Sequence, residues 1–332
     1  PDLTPIVGGR VLVPFGSQKR VGIVVDLPAS SDVAKEKLKP IIDVLDAESL
    51  FNSTTWDWLA WSANYYRAAL GDVLFQALPV KLRNGESAVK NDRTFWRITD
   101  LGKQALESGE LKRAKKQIEA LNLLLTQDLE KGNNEISSAI WSALKGKDYV
   151  EEIIVPTEQK SWQQALGNNP LVNLDNRLTL NKQQALAFSQ LLFQEGFNVW
   201  LLEGVTGSGK TEIYLQYIEE VLKKGKQVLV LVPEIGLTPQ TVRRFQARFN
   251  VEIDVLHSNL NDTQRLNVWE RARTGQSAIV IGTRSALFTQ FSDLGLIILD
   301  EEHDGSFKQQ DGWRYHARDL GIVLAQKLNI PI

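Results

Sequence analysis

The sequence predicts an α/β protein: a parallel, doubly wound lobe over residues 178–332, preceded by a small β-rich domain and a mixed module of helices and strands. Three observations predict it. From residue 178 onward, short apolar runs at 227–232, 253–256, 278–282 and 295–299 alternate with longer amphipathic stretches, the order of a parallel sheet with crossover helices. Residues 10–27 instead alternate with the period of antiparallel strands, punctuated by Pro14 and Gly16. The third is Gly204-Val-Thr-Gly-Ser-Gly-Lys-Thr211, a glycine-rich turn between an apolar run and a helix, the context that G-x-x-x-x-G-K-[ST] requires.

Composition narrows the class. The 332 residues suffice for two or three domains. At 43% hydrophobic and 23% charged the chain is globular, neither disordered nor fibrous. A formal net charge of -2 gives no global basic field, so nucleic acid would have to meet a local basic face. No apolar run reaches the roughly 18 to 20 residues of a membrane helix, and no signal peptide is visible. Cysteine is absent, which excludes disulfides and a cysteine zinc site in this chain and suits a reducing, cytoplasmic setting. Methionine is also absent, even at residue 1, and Asn329-Ile-Pro-Ile332 reads as an apolar strand just starting. Both suggest a piece of a longer protein.

In chain order, 10–16 and 20–26 read as two strands and 38–47 as a third. Residues 52–70 read as a helix capped by Ser53 or Thr54, with Trp58, Leu59, Ser62, Tyr65 and Tyr66 along one side. These make the β-rich domain, 1–83. In 84–155, a strand at 94–99 precedes a helix at 111–126. Its stripe is Ile118, Leu121, Leu124 and Leu125, and its start is basic (Lys112, Arg113, Lys115, Lys116). A helix opening at Asn134 or Glu135 and a strand at 149–155 complete a winged-helix-like order. Residues 156–177 lack a period and contain Gly-Asn-Asn-Pro, so they read as a linker. The lobe then reads as helices at 181–195, 211–224, 239–249, 261–274 and 317–328, around the four runs above and a buried strand at 199–203.

The glycine-rich motif carries the clearest chemistry. Backbone N–H groups of Gly204, Val205, Thr206, Gly207, Ser208 and Gly209 can turn inward around a β-phosphate at a helix N-terminus. Lys210 would reach the β- and γ-phosphates of ATP, and the Thr211 hydroxyl would ligate Mg²⁺. An incidental glycine turn is the bland alternative, which the strand–loop–helix context disfavours. Leu296-Ile-Ile-Leu-Asp300-Glu301 supplies the partner motif: Asp300 would hold Mg²⁺ and Glu301 would polarise the attacking water. Gln184, with Gln183 as its rival, could pair with an adenine edge. After the acidic box, Trp313, Arg314, Tyr315, His316 and Arg318 mix rings with cations on a loop broken by Asp311 and Gly312. That composition suits a single-strand platform that stacks bases and binds phosphates.

Val232-Pro-Glu-Ile-Gly-Leu-Thr-Pro-Gln240, Gly282-Thr-Arg-Ser-Ala-Leu-Phe288, DEEH at 300–303 and KQQDGWRYHARDL at 308–320 resemble the first RecA-like lobe of a superfamily 2 helicase. More narrowly they resemble the bacterial primosomal replication-restart helicases, the PriA family. VPFG at 13–16 and GDVLFQALP at 71–79 are similar to that family's DNA-end-binding domain. The resemblance implies an ATP-dependent 3′ to 5′ DNA helicase acting at stalled or abandoned forks. It implies phosphate contacts from Thr238, Gln240, Thr283 and Arg284, and a pocket for a nascent-strand 3′ end lined by Gly16 and Lys39. It further implies an aromatic-rich loop coupling DNA to ATP turnover. Implied partners are forked and single-stranded DNA, single-strand DNA-binding protein and other primosome proteins. Monomer is the default, no membrane is involved, and the setting is the bacterial cytoplasm and nucleoid. The family's second lobe, with its arginine finger and zinc-binding cysteine-rich segment, has no counterpart in these residues. A single lobe is therefore expected to bind DNA and nucleotide but unwind poorly. Two other readings stay open. One is a double-strand translocase motor of a nuclease complex, which would need a D…E-x-K cluster. The other is a non-catalytic fork-binding module.

Overall fold

The computed structural model describes residues 3–87, 93–109, 111, 114–131, 136–155, 159–205 and 207–332. Contacts divide the chain into two units, Pro1–Ala88 with Lys160–Ile332, and Val89–Gln159.

The first unit opens with β1 (Arg10–Phe15), paired antiparallel with β2 (Gln18–Ile23) and with β3 (Asp43–Val44), in the order β2-β1-β3. Gly16 takes φ +59 in the tight turn that brings Phe15 opposite Gln18, a conformation glycine adopts without steric cost. The third strand expected over 38–47 shortens to two residues. Pro40, just upstream, has no N–H to donate to a ladder. The helix expected over 52–70 is split into α1 (Ser53–Tyr65) and α2 (Leu70–Gln76), with Arg67 at φ +53 between them, and α3 (Val80–Arg83) follows. Its cap is Asn52, whose side chain accepts from Thr55 N at 2.8 Å, and neither Ser53 nor Thr54 fills that role. Arg10 is fully buried. Its Nε and Nη2 donate to the Asp46 carboxylate at 2.8 and 2.7 Å, and Nη1 donates to Leu82 O and Glu86 O at 2.6 and 2.7 Å. One guanidinium thus ties β1 to the end of α3.

The second unit comprises β4 (Arg93–Ile98), α4 (Asp100–Glu107), α5 (Lys115–Thr126), β5 (Leu129–Glu130), α6 (Ser138–Lys145) and β6 (Val150–Val155). Its antiparallel sheet has the order β5-β4-β6. Thr99 caps α4 by accepting from Gly102 N. Leu121, Leu124 and Leu144 fill the core, where Trp96 and Trp141 stack at 5.3 Å. Lys112, Arg113, Asn134 and Glu135 lie outside the described residues.

Back in the first unit, the lobe runs α7 (Trp162–Leu166), α8 (Lys182–Phe193), α9 (Lys210–Lys223), β7 (Gln227–Leu231), α10 (Pro239–Arg248), β8 (Ile253–Leu256), α11 (Asp262–Arg273), β9 (Ile279–Gly282), β10 (Leu294–Leu299) and α12 (Ala317–Leu328). The sheet is parallel with order β10-β7-β9-β8. Strand side chains alternate between faces. Leu229, Leu231, Val280 and Ile297 pack with α11 and α12, while Val228, Val230, Ile279 and Ile281 pack with α9 and α10. Burial on both faces explains why these strands read as unbroken apolar runs.

Three expectations change here. Residues 160–177 are not a loose linker. Trp162, 3% exposed, opens α7 behind a Ser161–Gln164 capping box, and Trp162 N donates to Gly275 O at 2.8 Å. Val172 bridges Phe249. The apolar residues are too irregularly spaced for a period, yet they seat on the α9–α10 face. The expected buried strand at 199–203 forms no ladder. Trp200 N donates to Ile332 O and Ile332 N to Asn198 O, while Leu201 is 74% exposed. Its backbone reaches the sheet through Pro331 and Ile332, Pro331 O accepting from Ile297 N. Finally, the helices of the β-rich segment do not keep a core of their own but pack into that of the lobe. Trp58 and Leu59 pack with Phe288 and Leu320, Trp58 Nε1 donates to Leu320 O at 3.0 Å, and Gln290 Nε2 donates to Leu50 O.

Candidate nucleotide site and nucleic-acid face

The loops at the C-terminal ends of the parallel strands gather most of the expected site residues, the usual ligand edge of an open α/β sheet. Gly209 precedes α9 at φ +84, and a Cβ there would collide with the Gln184 amide. Lys210 Nζ donates to Gly204 O at 2.6 Å, and Ser208 N donates to Val205 O. The loop therefore curls around the lysine ammonium at the N-terminus of a fourteen-residue helix, where backbone N–H groups favour an anion. Thr206 lies outside the described residues.

Gln184 differs from its expected role. Its Oε1 accepts from Asn181 N and its Nε2 donates to Ser208 O at 2.8 Å. Both ends of the amide are engaged, one capping α8 and the other bracing the phosphate loop, so the adenine pairing expected of it does not fit this arrangement. Gln183 is exposed.

Asp300 follows β10 and its backbone N–H donates to Leu231 O at 2.9 Å, which fixes it at the sheet's end. Burial raises its carboxyl above the ordinary range; the Tyr214 hydrogen bond opposes this and neighbouring Glu301 adds to it. Tyr214, one turn along α9 from Thr211, donates to Asp300 Oδ2 at 3.2 Å and stands close to the Thr211 side chain. Burial raises its phenol as well. Thr211 and Asp300 thus place a hydroxyl and a carboxylate beside one shared neighbour, hard oxygen donors of the kind Mg²⁺ takes alongside phosphates. Sequence reasoning missed Tyr214, although its spacing of three from Thr211 put it on the same helix face. Glu301 has φ +49, which costs a non-glycine residue roughly 1–2 kcal/mol. Its carboxylate stands half exposed, 3.8 Å from His303 Nε2.

The nucleic-acid residues divide. Thr238 caps α10 by accepting from Thr241 N, and Gln240 is exposed in the first turn. Thr283 precedes a 3-10 turn at Arg284–Phe288. Arg284 Nη1 donates to Ser306 O and Lys308 O at 2.7 and 2.9 Å, tying this motif to the loop after the acidic box. A cavity of about 120 Å³ lies among Ser258, Arg265, Thr283, Arg284, Ser285 and Ser306. Ser258 and Arg265 were missed, although His257-Ser258 follows β8 as the other motifs follow their strands.

The aromatic loop corrects an expectation. Trp313 and Tyr315 are 4% and 3% exposed and pack on Phe288 at 5.4 and 5.3 Å. They are core residues, not a surface platform for bases. The loop folds back on itself, with Gln309 N donating to Tyr315 O, so its rings turn inward under Phe288 and Trp58. Burial pushes the Tyr315 phenol up to about 12. His316 caps α12 by accepting from Arg318 N, and burial lowers its imidazole. Arg318 pairs with Glu302 at 3.0 Å. Arg314 is exposed. In the end-binding segment, Gly16 and Lys39 are both exposed. Leu12 pairs antiparallel with Asp43, so Gly16 and Lys39, each four residues away, lie toward the same end of β1.

Comparison with known proteins places this geometry. The profile of the PriA 3′DNA-binding domain (3′BD) matches residues 1–79, and that of the DEAD/DEAH box helicase domain matches residues 181–329. The chain is 77% identical over its whole length to the replication restart protein PriA of Haemophilus influenzae, and spans 45% of that protein. It is 36% identical to the PriA of Buchnera aphidicola, again covering 100% of this chain and 45% of the relative. Against the Bacillus subtilis PriA it is 29% identical, covering 98% of this chain and 48% of the relative. Among solved structures, RecG bound to a three-way DNA junction aligns with 46% of this chain and 24% of its own, at 23% identity and a TM-score of 0.32. With a 3′ DNA-binding domain at one end, a DEAD/DEAH box helicase domain at the other and this identity along its length, the chain belongs to the PriA family, as somewhat under half of a full-length member.

Proposed function

We propose that this chain is the DNA-end-binding and nucleotide-binding part of an ATP-dependent 3′ to 5′ helicase that recognises abandoned replication forks and starts replication restart. The observation that carries it is the meeting of Lys210, Thr211, Asp300 and Glu301 at one edge of a sheet whose core also holds the end-binding segment. Lys210 and the loop N–H groups bind the β- and γ-phosphates of ATP. Thr211 and Asp300 would hold Mg²⁺, which would supply positive charge against the transferred phosphoryl group. Glu301, held half exposed beyond the strand, orients and deprotonates the attacking water. Thr238, Gln240 and Thr283 touch DNA phosphates, contacts that carry no sequence information and so suit a motor on any sequence. Arg314, exposed on the loop after the acidic box, adds a further cation for DNA phosphates. Gly16 and Lys39 frame the site for a nascent-strand 3′ end.

Lys210→Ala tests the nucleotide site. It is expected to weaken binding of a fluorescent ATP analogue by about 10–100-fold, the range for losing charge-assisted hydrogen bonds, while fork binding stays within about twofold. Unchanged nucleotide affinity would refute the assignment. The end-binding role predicts that forks with a free 3′-OH bind more tightly than forks with a 3′-phosphate, a preference that Lys39→Ala reduces. Equal affinity for both forks in the parent chain removes the end-specific reading and leaves a general DNA-binding surface.

A further inference from the structure

Tyr214 occupies a junction that neither phosphate-loop nor acidic-box chemistry requires. Its hydroxyl lies between both groups proposed to hold the metal ion, donating to Asp300 Oδ2 at 3.2 Å and standing close to the Thr211 side chain. Those two groups come from different elements, the first turn of α9 and the end of β10, and no backbone hydrogen bond links one to the other. The Tyr214 ring meanwhile stacks on Phe245 at 6.4 Å with 26° between planes. Phe245 is fully buried on α10, the helix that Thr238 caps and that carries Gln240. We propose that Tyr214 is a positioning residue: its hydroxyl sets the Asp300 carboxylate and the Thr211 hydroxyl facing one cation, and its ring passes movement of the DNA-contacting helix α10 to that pair. Packed interiors transmit such displacements because they are dense and compress little. The inference rests on the nucleotide-site reading above, and it adds a physical connection between the DNA face and the metal-holding pair.

Tyr214→Phe separates this role from packing, since the ring and its stacking on Phe245 remain and only the hydroxyl is lost. The experiment titrates the full chain with a fluorescent ATP analogue in EDTA and across a Mg²⁺ series, with and without oligothymidylate, and follows thermal unfolding of both proteins. In the variant, metal-free affinity is expected within about twofold of the parent and the melting temperature nearly unchanged. The Mg²⁺ concentration for half-maximal enhancement of binding is expected to rise about tenfold, the factor carried by one hydrogen bond to a charged group. Oligothymidylate is expected to lower the Mg²⁺ requirement of the parent and not that of the variant. An unchanged Mg²⁺ requirement in a variant that binds nucleotide overturns the positioning role alone. A parent whose Mg²⁺ requirement ignores oligothymidylate overturns the link through α10. A parent that binds no nucleotide overturns both this role and the site reading beneath it.

Discussion

Alanine in place of Trp313 is expected to lower the unfolding free energy of the unit formed by Pro1–Ala88 and Lys160–Ile332 by about 3–5 kcal/mol, the usual cost of emptying a buried indole site. The ring is 4% exposed, with Tyr315 at 4.7 Å and Phe288 at 5.4 Å, and Phe288 in turn lies 5.7 Å from Trp58. Its loss opens a cavity where α1 meets the lobe. The indole N–H has no hydrogen-bond partner among the described residues, so lost packing alone accounts for the effect. Urea unfolding followed by far-UV circular dichroism measures it. The midpoint should fall sharply for Trp313→Ala, less for Trp313→Phe, and hardly at all for the exposed Arg314→Ala. A parent-like midpoint for Trp313→Ala would return the ring to the surface. Any loss of DNA-stimulated turnover in this variant has to be read after that destabilisation, because a displaced loop also disturbs Arg284, which is anchored on Ser306 and Lys308.

Asp46→Ala should cost a comparable 3–5 kcal/mol by a different route. Arg10 is 0% exposed, and Asp46 accepts from its Nε, its Nη2 and its backbone N–H. Removing the carboxylate leaves a buried guanidinium with only the Leu82 and Glu86 carbonyls for company. Replacing both partners with apolar residues, Arg10→Met with Asp46→Leu, is expected to recover much of the loss, since the penalty lies in the stranded charge and not in the missing attraction. Chemical denaturation of the two variants beside the parent checks it. A double variant no more stable than Asp46→Ala would show that the pair does more than neutralise itself.

The parts of the fold legible in the sequence were those with local causes. The helix at 317–328 falls where its apolar spacing put it, and the glycine turn that opens α9 was readable because glycine, lysine and threonine stand at fixed offsets. The apolar run at 227–232 announced a strand buried on both faces, which is what β7 is. What was not legible depends on distant partners. Nothing near Trp313 says that Phe288 and Trp58 will cover it, so a loop rich in rings and cations read as an exposed platform. Trp162 looked like part of a linker because the surface that receives it is made by α9 and α10. Gln184 matched an adenine-reading role by type and position, yet the cap at Asn181 and the carbonyl of Ser208 claim its amide. Tyr214 is the opposite case: its spacing was local and visible, but its meaning needed Asp300, 86 residues away.

The core shared by α1 and the lobe also bears on how the chain is made. Trp58 leaves the ribosome 262 residues before Leu320, whose carbonyl receives its indole N–H. At about 5–20 residues per second, that interval is roughly 13–50 s. During it α2 can already shelter part of the α1 surface, but the face that Phe288 and Leu320 will cover stays wet. The nascent chain therefore carries an unfinished aromatic surface throughout that interval, the kind of surface that chaperones bind and that makes slow translation a hazard for solubility.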